Sequence, residues 1–351
     1  MRAIRILALV LTFLLVPVVQ AAGPYREAAL GALSWIASQQ QADGSFPGFG
    51  PGSTADAVFA ICAAGGDPNG FLREGNSPIT FLAAQAQEVS TNAGSAAKAV
   101  LAALCAGKDP RRLGGVDLVA ALEGAYDAAN GSYAADLAGH AFAVLALSAA
   151  GRPIPAAAVE HLRRTQTPEG GWAWDASPAS GGADTNSTAL AVQALLASGV
   201  AASDPAVQAA LAYLHTQQNA DGGFPYAKPS PWGSASDTNS TAYVVQALCA
   251  AGEDPEGPAW TMEGHTPLSF LLGMQLPNGA FLWQAQVPGE NALATYQAVP
   301  ALMLRPFPLA RAEKSALLPE TGAAPAWLSG TILGGLGILL LGMALRRRSG
   351  S

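Results

Sequence analysis

The chain is predicted to be all-α, folded as a closed toroid of six helix-pair repeats (α6/α6), and three observations predict it. The segments Asp184-Thr185-Asn186-Ser187-Thr188 and Asp237-Thr238-Asn239-Ser240-Thr241 each open an Ala-rich run and repeat one another 53 residues apart; a fixed period of that size marks a repeat architecture. Anchored on the Gly that ends most of these runs, the same frame recovers six units with equivalent positions at Cys62, Cys105, Ser148, Leu196, Cys249 and Leu302. Alternating apolar runs are scarce between them, and only 12% of the chain is charged, so the helices must pack tightly rather than form a solvated coil.

Each unit carries two helical signals. An amphipathic segment comes first, at residues 28–40, 79–88, 117–126, 156–165, 205–217 and 267–274. An Ala-rich, nearly continuous apolar helix follows, as at residues 141–150 before Gly151 or 189–198 before Gly199; glycine there is a helix-terminating signal. A helix apolar on most sides is a buried one. Six buried and six amphipathic helices therefore suit an inner ring within an outer ring at residues 23–308. An open solenoid would need polar capping repeats at its ends, and no unit reads as one, which favours closure.

Four of the linking turns carry a shared pattern: Gln41-Ala-Asp-Gly44-Ser-Phe46, Gln166-Thr-Pro-Glu-Gly170-Gly-Trp172, Gln218-Asn-Ala-Asp-Gly222-Gly-Phe224 and Gln275-Leu-Pro-Asn-Gly279-Ala-Phe281. This resembles the QW motif of the terpenoid cyclase and protein prenyltransferase superfamily, over roughly residues 25–305. The resemblance implies that the Gln closes the outer helix, the Gly makes the turn and the aromatic packs between units. The Asp-Thr before an Ala-rich helix is also similar to the α-barrel of cobalamin carriers.

Twelve residues before the frame positions stand Asp136, Asp184, Asp237 and Glu290, with Gly50 and Ala93 in the first two units. Four carboxylates at one repeat position are candidate rim acids around a cavity mouth, where the resemblance places the cyclase acid. The plainer role is N-capping, typically worth about 1 kcal/mol. One turn on, His140, Thr188 and Thr241 are candidate ligand-binding residues expected to face the same cavity. Trp174, Tyr226, Trp232 and Trp283 are not required by the turn and are candidates for stacking on a ring or sugar at the mouth.

The squalene-type cyclase acid sits in an Asp-x-Asp-Asp cluster and the prenyltransferase zinc on an Asp-x-Cys pairing; this sequence contains neither. No metal site and no cofactor are read from it, although a corrinoid or calcium is a conceivable ligand. Cys62, Cys105 and Cys249 occupy one packing position, with an expected separation of about 8–10 Å between neighbouring helices, so they are expected to be free, buried thiols.

Residues 1–22 read as a signal peptide, with Arg2 and Arg5 before an apolar run and Val19-Gln20-Ala21 as a cleavage site; a first transmembrane helix is the competing reading. At the other end, residues 309–317 form a linker, 318–322 read Leu318-Pro319-Glu320-Thr321-Gly322, 323–345 are long and apolar enough to span a bilayer, and 346–351 are a basic cytoplasmic tail. This order is similar to an LPxTG cell-wall sorting signal. The resemblance implies a sortase-type transpeptidase that cuts Thr321–Gly322 and joins the chain to cell-wall peptide; an uncut single-pass anchor is the alternative. Either way the body faces outside.

The formal charge is -7, and removing the five terminal arginines leaves the exported body near -12, which excludes nucleic acid as a partner. These readings converge on a cell-surface-anchored, non-catalytic binding module with an acidic, aromatic cavity mouth, its ligand a small molecule, glycan or protein. The alternative is an enzyme acting on an isoprenoid-type substrate through Asp184 or Asp237; a purely structural surface repeat is a third. If sorting operates, Thr321→Ala leaves the protein in the membrane fraction or the medium; unchanged wall attachment on fractionation would refute it.

Overall fold

In a computed structural model, residues 23–309 except Trp232 are described, and the expected signal peptide, most of the linker, the sorting motif, the spanning segment and the basic tail lie outside them. Six helices form an inner ring: α2 (Pro51–Ala63), α5 (Ala93–Cys105), α7 (Leu137–Ala149), α9 (Thr185–Ala197), α11 (Thr238–Ala251) and α13 (Ala292–Leu302). Each packs on the next, and α13 packs back on α2, so the ring closes. The outer layer comprises α1 (Gly23–Gln39), α3 (Pro78–Ala84) with α4 (Ala86–Val89), α6 (Leu118–Gly124), α8 (Ala156–Arg164), α10 (Pro205–Gln217) and α12 (Pro267–Gly273). The second amphipathic segment is thus broken at Gln85, where ψ turns to 1°. Among the described residues β-structure is confined to isolated bridges, and no helix is long and apolar enough to cross a membrane.

Five of the six inner helices start at a short polar cap, and α2 starts at Gly50 without one. Asp136, Asp184 and Asp237 accept the N–H of Gly139, Ser187 and Ser240 at 2.8, 2.8 and 2.7 Å. Asn92 and Asn291 do the same for Ser95 and Ala294. The sequence frame therefore slips by one residue in the second and sixth units: Ala93 and Glu290 flank the true caps. Glu290 is instead exposed and ties the closing seam, accepting Trp35 Nε1 at 3.0 Å.

Four residues after the cap, a polar side chain accepts the backbone N–H of the turn. Thr54 takes it from Phe46 (3.1 Å), Thr188 from Trp172 (3.0 Å), Thr241 from Phe224 (2.9 Å) and Thr295 from Phe281 (2.9 Å). His140 Nδ1 does so for Tyr133 at 3.2 Å. Each of these threonines except Thr54 also donates its hydroxyl to the carbonyl of its own cap residue. In the same turns, a Gln amide donates to a carbonyl of its own turn and to one in the next unit: Gln166 to Gly170 and Ala206, Gln218 to Gly222 and Trp260, Gln275 to Gly279 and Ala28. In the first unit this residue is Gln40, which reaches Gly44 and Phe71, and not the expected Gln41. The turn glycine is obligatory: Gly279 has φ 93°, and a Cβ there would lie 2.2 Å from the Gly31 carbonyl oxygen of α1.

The cysteine expectation is overturned. Cys62 and Cys105 form a disulfide with Cα atoms 6.1 Å apart, and only Cys249 is free among the described cysteines. The slipped frame is the reason. Cys62 lies twelve residues after its cap and Cys105 thirteen after its own, so their side chains converge, and the small residues of α2 and α5 let the backbones approach. Closing a 43-residue separation restricts the unfolded chain by about 4 kcal/mol.

The far end of the ring is closed by non-repeating chain. After α13 the backbone reverses, with Leu304 at φ 54° and Arg305 N–H on Pro300 carbonyl at 2.9 Å. Gln246 Nε2 of α11 then donates to Arg305 carbonyl at 3.0 Å, and Phe307 N–H donates to Gln193 Oε1 of α9 at 2.8 Å. The Phe307 ring packs edge-on against Phe59 of α2 and Phe142 of α7, 5.1 and 5.7 Å between centroids. The segment therefore spans four of the six inner helices.

Thr241→Val keeps the side-chain shape but leaves the buried Phe224 N–H without an acceptor, a loss of about 1–3 kcal/mol. Chemical denaturation measures it, and Thr216→Val, on the partly exposed side of α10, is the control expected to move stability far less.

Candidate functional site

The end of the ring opposite Phe307 is the one at which the inner helices begin. A residue four positions beyond the cap lies on the turn side of the helix, whereas one six positions beyond it is rotated by about 200°. The six residues in that second row are Asp56, Lys98, Phe142, Leu190, Tyr243 and Gln297, and they meet across the inner face. Lys98 Nζ pairs with Asp56 at 2.8 Å and sits 5.4 Å from the Phe142 ring centroid. Gln297 Nε2 donates to the Tyr243 hydroxyl at 3.3 Å and its Oε1 accepts Asn239 Nδ2 at 2.8 Å. Burial raises the Asp56 carboxyl while the Lys98 charge opposes the rise.

His140, Thr188 and Thr241, expected to face the cavity, face the turns and outer layer instead, because they hold the turn N–H groups. His140 Nε2 lies 3.1 Å from the Ala158 carbonyl of α8. Its ring is fully buried, and burial holds it down to about 4, so it is neutral and donates there. Cys249 is similarly inert, its thiol pushed up to about 12 by burial.

The rim acids divide. Asp136 and Glu290 are exposed. Asp184 and Asp237 are buried beneath backbone bridges to Trp172 and Phe224, and burial pushes both carboxyls up to about 6 against the opposing hydrogen bonds of Ser187 and Ser240. The Tyr226 hydroxyl faces Asp184 and is itself raised, by burial first and then by that carboxylate.

Three of the four aromatic candidates fall at one repeated position. Trp174, Tyr226 and Trp283 each stand two residues past a turn aromatic, and each uses its carbonyl to accept the first helical N–H of the preceding unit's inner helix: Leu137, Thr185 and Thr238. Their side chains stay 65, 41 and 40% exposed. Phe49, one residue before the α2 cap, is 85% exposed at the same end. Trp232 lies outside the described residues.

The sequence reading missed the row of Asp56, Lys98, Tyr243 and Gln297, together with Phe49 and the Phe307 floor. A signal existed for the ion pair: Asp56 and Lys98 are isolated charges inside otherwise uncharged helices.

Comparison with known proteins fits this geometry. Residues 125–288 match the squalene-hopene cyclase C-terminal domain family. Drimenyl diphosphate synthase from Streptantibioticus cattleyicolor is 33% identical over 128 residues, covering 36% of this chain and 22% of that protein's length. The apo structure of the type II terpene cyclase MstE from Scytonema superposes with a TM-score of 0.57 at 15% identity, over 80% of this chain and 98% of that one. A glycosidase in complex with glucose gives 0.54 at 14% identity, over 81% and 98%. Likenesses at that identity show the shared fold.

The raised carboxyls predict a pH dependence. A buried Asp whose folded value is about 6 against an ordinary 3.8 binds its proton more tightly in the folded state, so its contribution favours folding at low pH and is lost as pH rises through about 4 to 6. The double variant Asp184→Asn and Asp237→Asn keeps both caps and should flatten the fall in Tm between pH 4.5 and 7, read by thermal unfolding. The closed double ring is thus the fold shared with these α/α toroids, and residues 125–288 are similar in sequence to the squalene-hopene cyclase C-terminal domain.

Proposed function

We propose that this protein is an exported, surface-anchored binding module that takes its ligand at the end of the toroid where the inner helices begin. One observation carries the reading: exposed aromatic side chains recur at equivalent positions in three consecutive units, beside an inner face of polar groups. A pocket lined by aromatic faces with a few placed polar groups is the usual form of a small-molecule site. The acids available there are committed elsewhere, Asp136, Asp184 and Asp237 to helix caps and Asp56 to Lys98.

A second reading, an enzyme acting on an isoprenoid-type substrate, is favoured by the buried Asp184 and Asp237, whose values near 6 keep a fraction protonated close to neutral pH. The family likeness supports the same reading. Titrating the full-length protein with corrinoids, isoprenoid alcohols and diphosphates, neutral glycans and calcium while following tryptophan fluorescence separates the two. A binding module gives saturable change with one class and returns that compound unaltered by mass spectrometry, and Trp174→Ala with Trp283→Ala weakens binding by about tenfold or more. Conversion of an isoprenoid that is abolished in Asp184→Asn would overturn the proposal.

A further inference from the structure

The connections that follow α5 and α11 are alike in form and opposite in charge. Each leaves its helix through a left-handed glycine, Gly107 or Gly252, runs through Asp-Pro and reaches a tight turn, Leu113–Val116 or Met262–His265, closed by an antiparallel bridge. The first carries Lys108, Arg111 and Arg112 against the single carboxylate of Asp109, a surplus of two positive charges. The second carries Glu253, Asp254, Glu256 and Glu263 and neither Lys nor Arg. All of these charged groups except Glu253 are exposed. Among the described residues Lys108, Arg111 and Glu263 make no ion pair, and Arg112 reaches Asp109 only at 4.0 Å.

α5 and α11 stand three steps apart in the ring of six, so their connections leave the same end, that of Phe307, on opposite sides. Beside the basic connection a hollow of about 520 Å³ opens in the outer layer. Lys108, Arg112 and Gly114 line one wall, and Asn69, Leu72 and Thr80 line the other. The walls are tied at their roots: the Cys62–Cys105 disulfide lies just before both connections, and Asn69 Nδ2 donates to the Ala106 carbonyl at 2.9 Å. Leu72 is 52% exposed there, apolar surface left uncovered beside two cations. The turn tip on this side, Gly114-Gly115, bears no side chain, whereas the tip across the ring bears Glu263 at φ 50°.

We propose that the hollow beside Lys108 and Arg112 receives the acidic connection of a second copy of this chain, Glu263 at its tip, so that copies associate side by side. The contact joins two different patches. Because these lie on opposite sides of one end, neighbours need no rotation between them, and a contact of that kind does not close but extends into a row. The body as a whole is acidic and repels its copies. At physiological salt the Debye length is about 8 Å, so repulsion between bodies is screened while loops in contact still attract. Every copy in such a row stands the same way up, as molecules tethered by one end must. The contact is independent of what the mouth binds.

Sedimentation velocity of the full-length protein in nonionic detergent tests this. Association grows with protein concentration at about 0.15 M salt and weakens by about tenfold or more at about 1 M. Lys108→Glu with Arg112→Glu abolishes it, as does Glu256→Lys with Glu263→Lys; Glu263→Lys alone, which loses no partner within the chain, weakens it. An unchanged Tm shows that each variant folds. The two reversed variants stay apart singly, and an equal mixture of them associates, because each then offers the charge that the other lacks. A wild-type protein that stays monomeric, association that survives the reversals, or a mixture that stays apart overturns the proposal. Polyglutamate is a separate arm: binding that needs Lys108 and Arg112, without self-association, assigns the hollow to another acidic partner and overturns the second copy as its occupant.

Discussion

At five of its six starts, the inner ring is locked to its turn by one hydrogen bond, from a turn backbone N–H to the side chain four residues into the helix. Thr54, His140, Thr188, Thr241 and Thr295 fill this role, and the three threonines of the last units simultaneously hold their own cap carbonyl. The bond fixes the rotation of each inner helix about its axis, because that side chain must point at the turn. Once that rotation is set, the opposite face is set as well. The Gln amides, each shared between its own turn and the next unit, then carry the same orientation around the ring.

Fixed rotation decides what the mouth is made of. With the capping acids and threonines turned toward the outer layer, the inner face falls to the residues six positions along, and there the protein places an ion pair and a set of amide and phenol groups. Lys98 and Asp56 neutralise one another on one side, and Tyr243, Gln297 and Asn239 form a neutral chain on the other. An interior of that kind offers hydrogen bonds without a net field. The acidity of the whole chain is therefore a property of its outside, and the interior is more nearly balanced than the formal charge suggests.

Much of the ring was legible in the sequence because repeat period, helix caps and turn glycines are local signals. Asp184 and Asp237 cap their helices, as an acid followed by Thr before an Ala-rich run suggests. What failed depended on orientation. Asn92 and Asn291 cap their helices, but a frame anchored on the helix-ending glycines and counted a fixed twelve residues back misses each by one, which carries Glu290 onto the rim and leaves Cys62 and Cys105 too far apart for the bond they form. His140, Thr188 and Thr241 share a helical face that points to the turns and not to the cavity; periodicity says which residues share a face and is silent on where it points. The floor could not be read at all, since Phe307 belongs to no repeat and its partners Phe59, Phe142 and Gln193 are scattered over three units.

Because that floor is built from residues 303–309, the wall and the base of the cup belong to different parts of the chain. The wall is bound by symmetry: a change in one helix must suit both neighbours, and a shift in one seam is passed around a closed ring. The base answers to no such rule. A change at position 307 acts on α2 and α7 together through their phenylalanines while touching no cap and no turn, so base and rim are held by separate interactions of one fold.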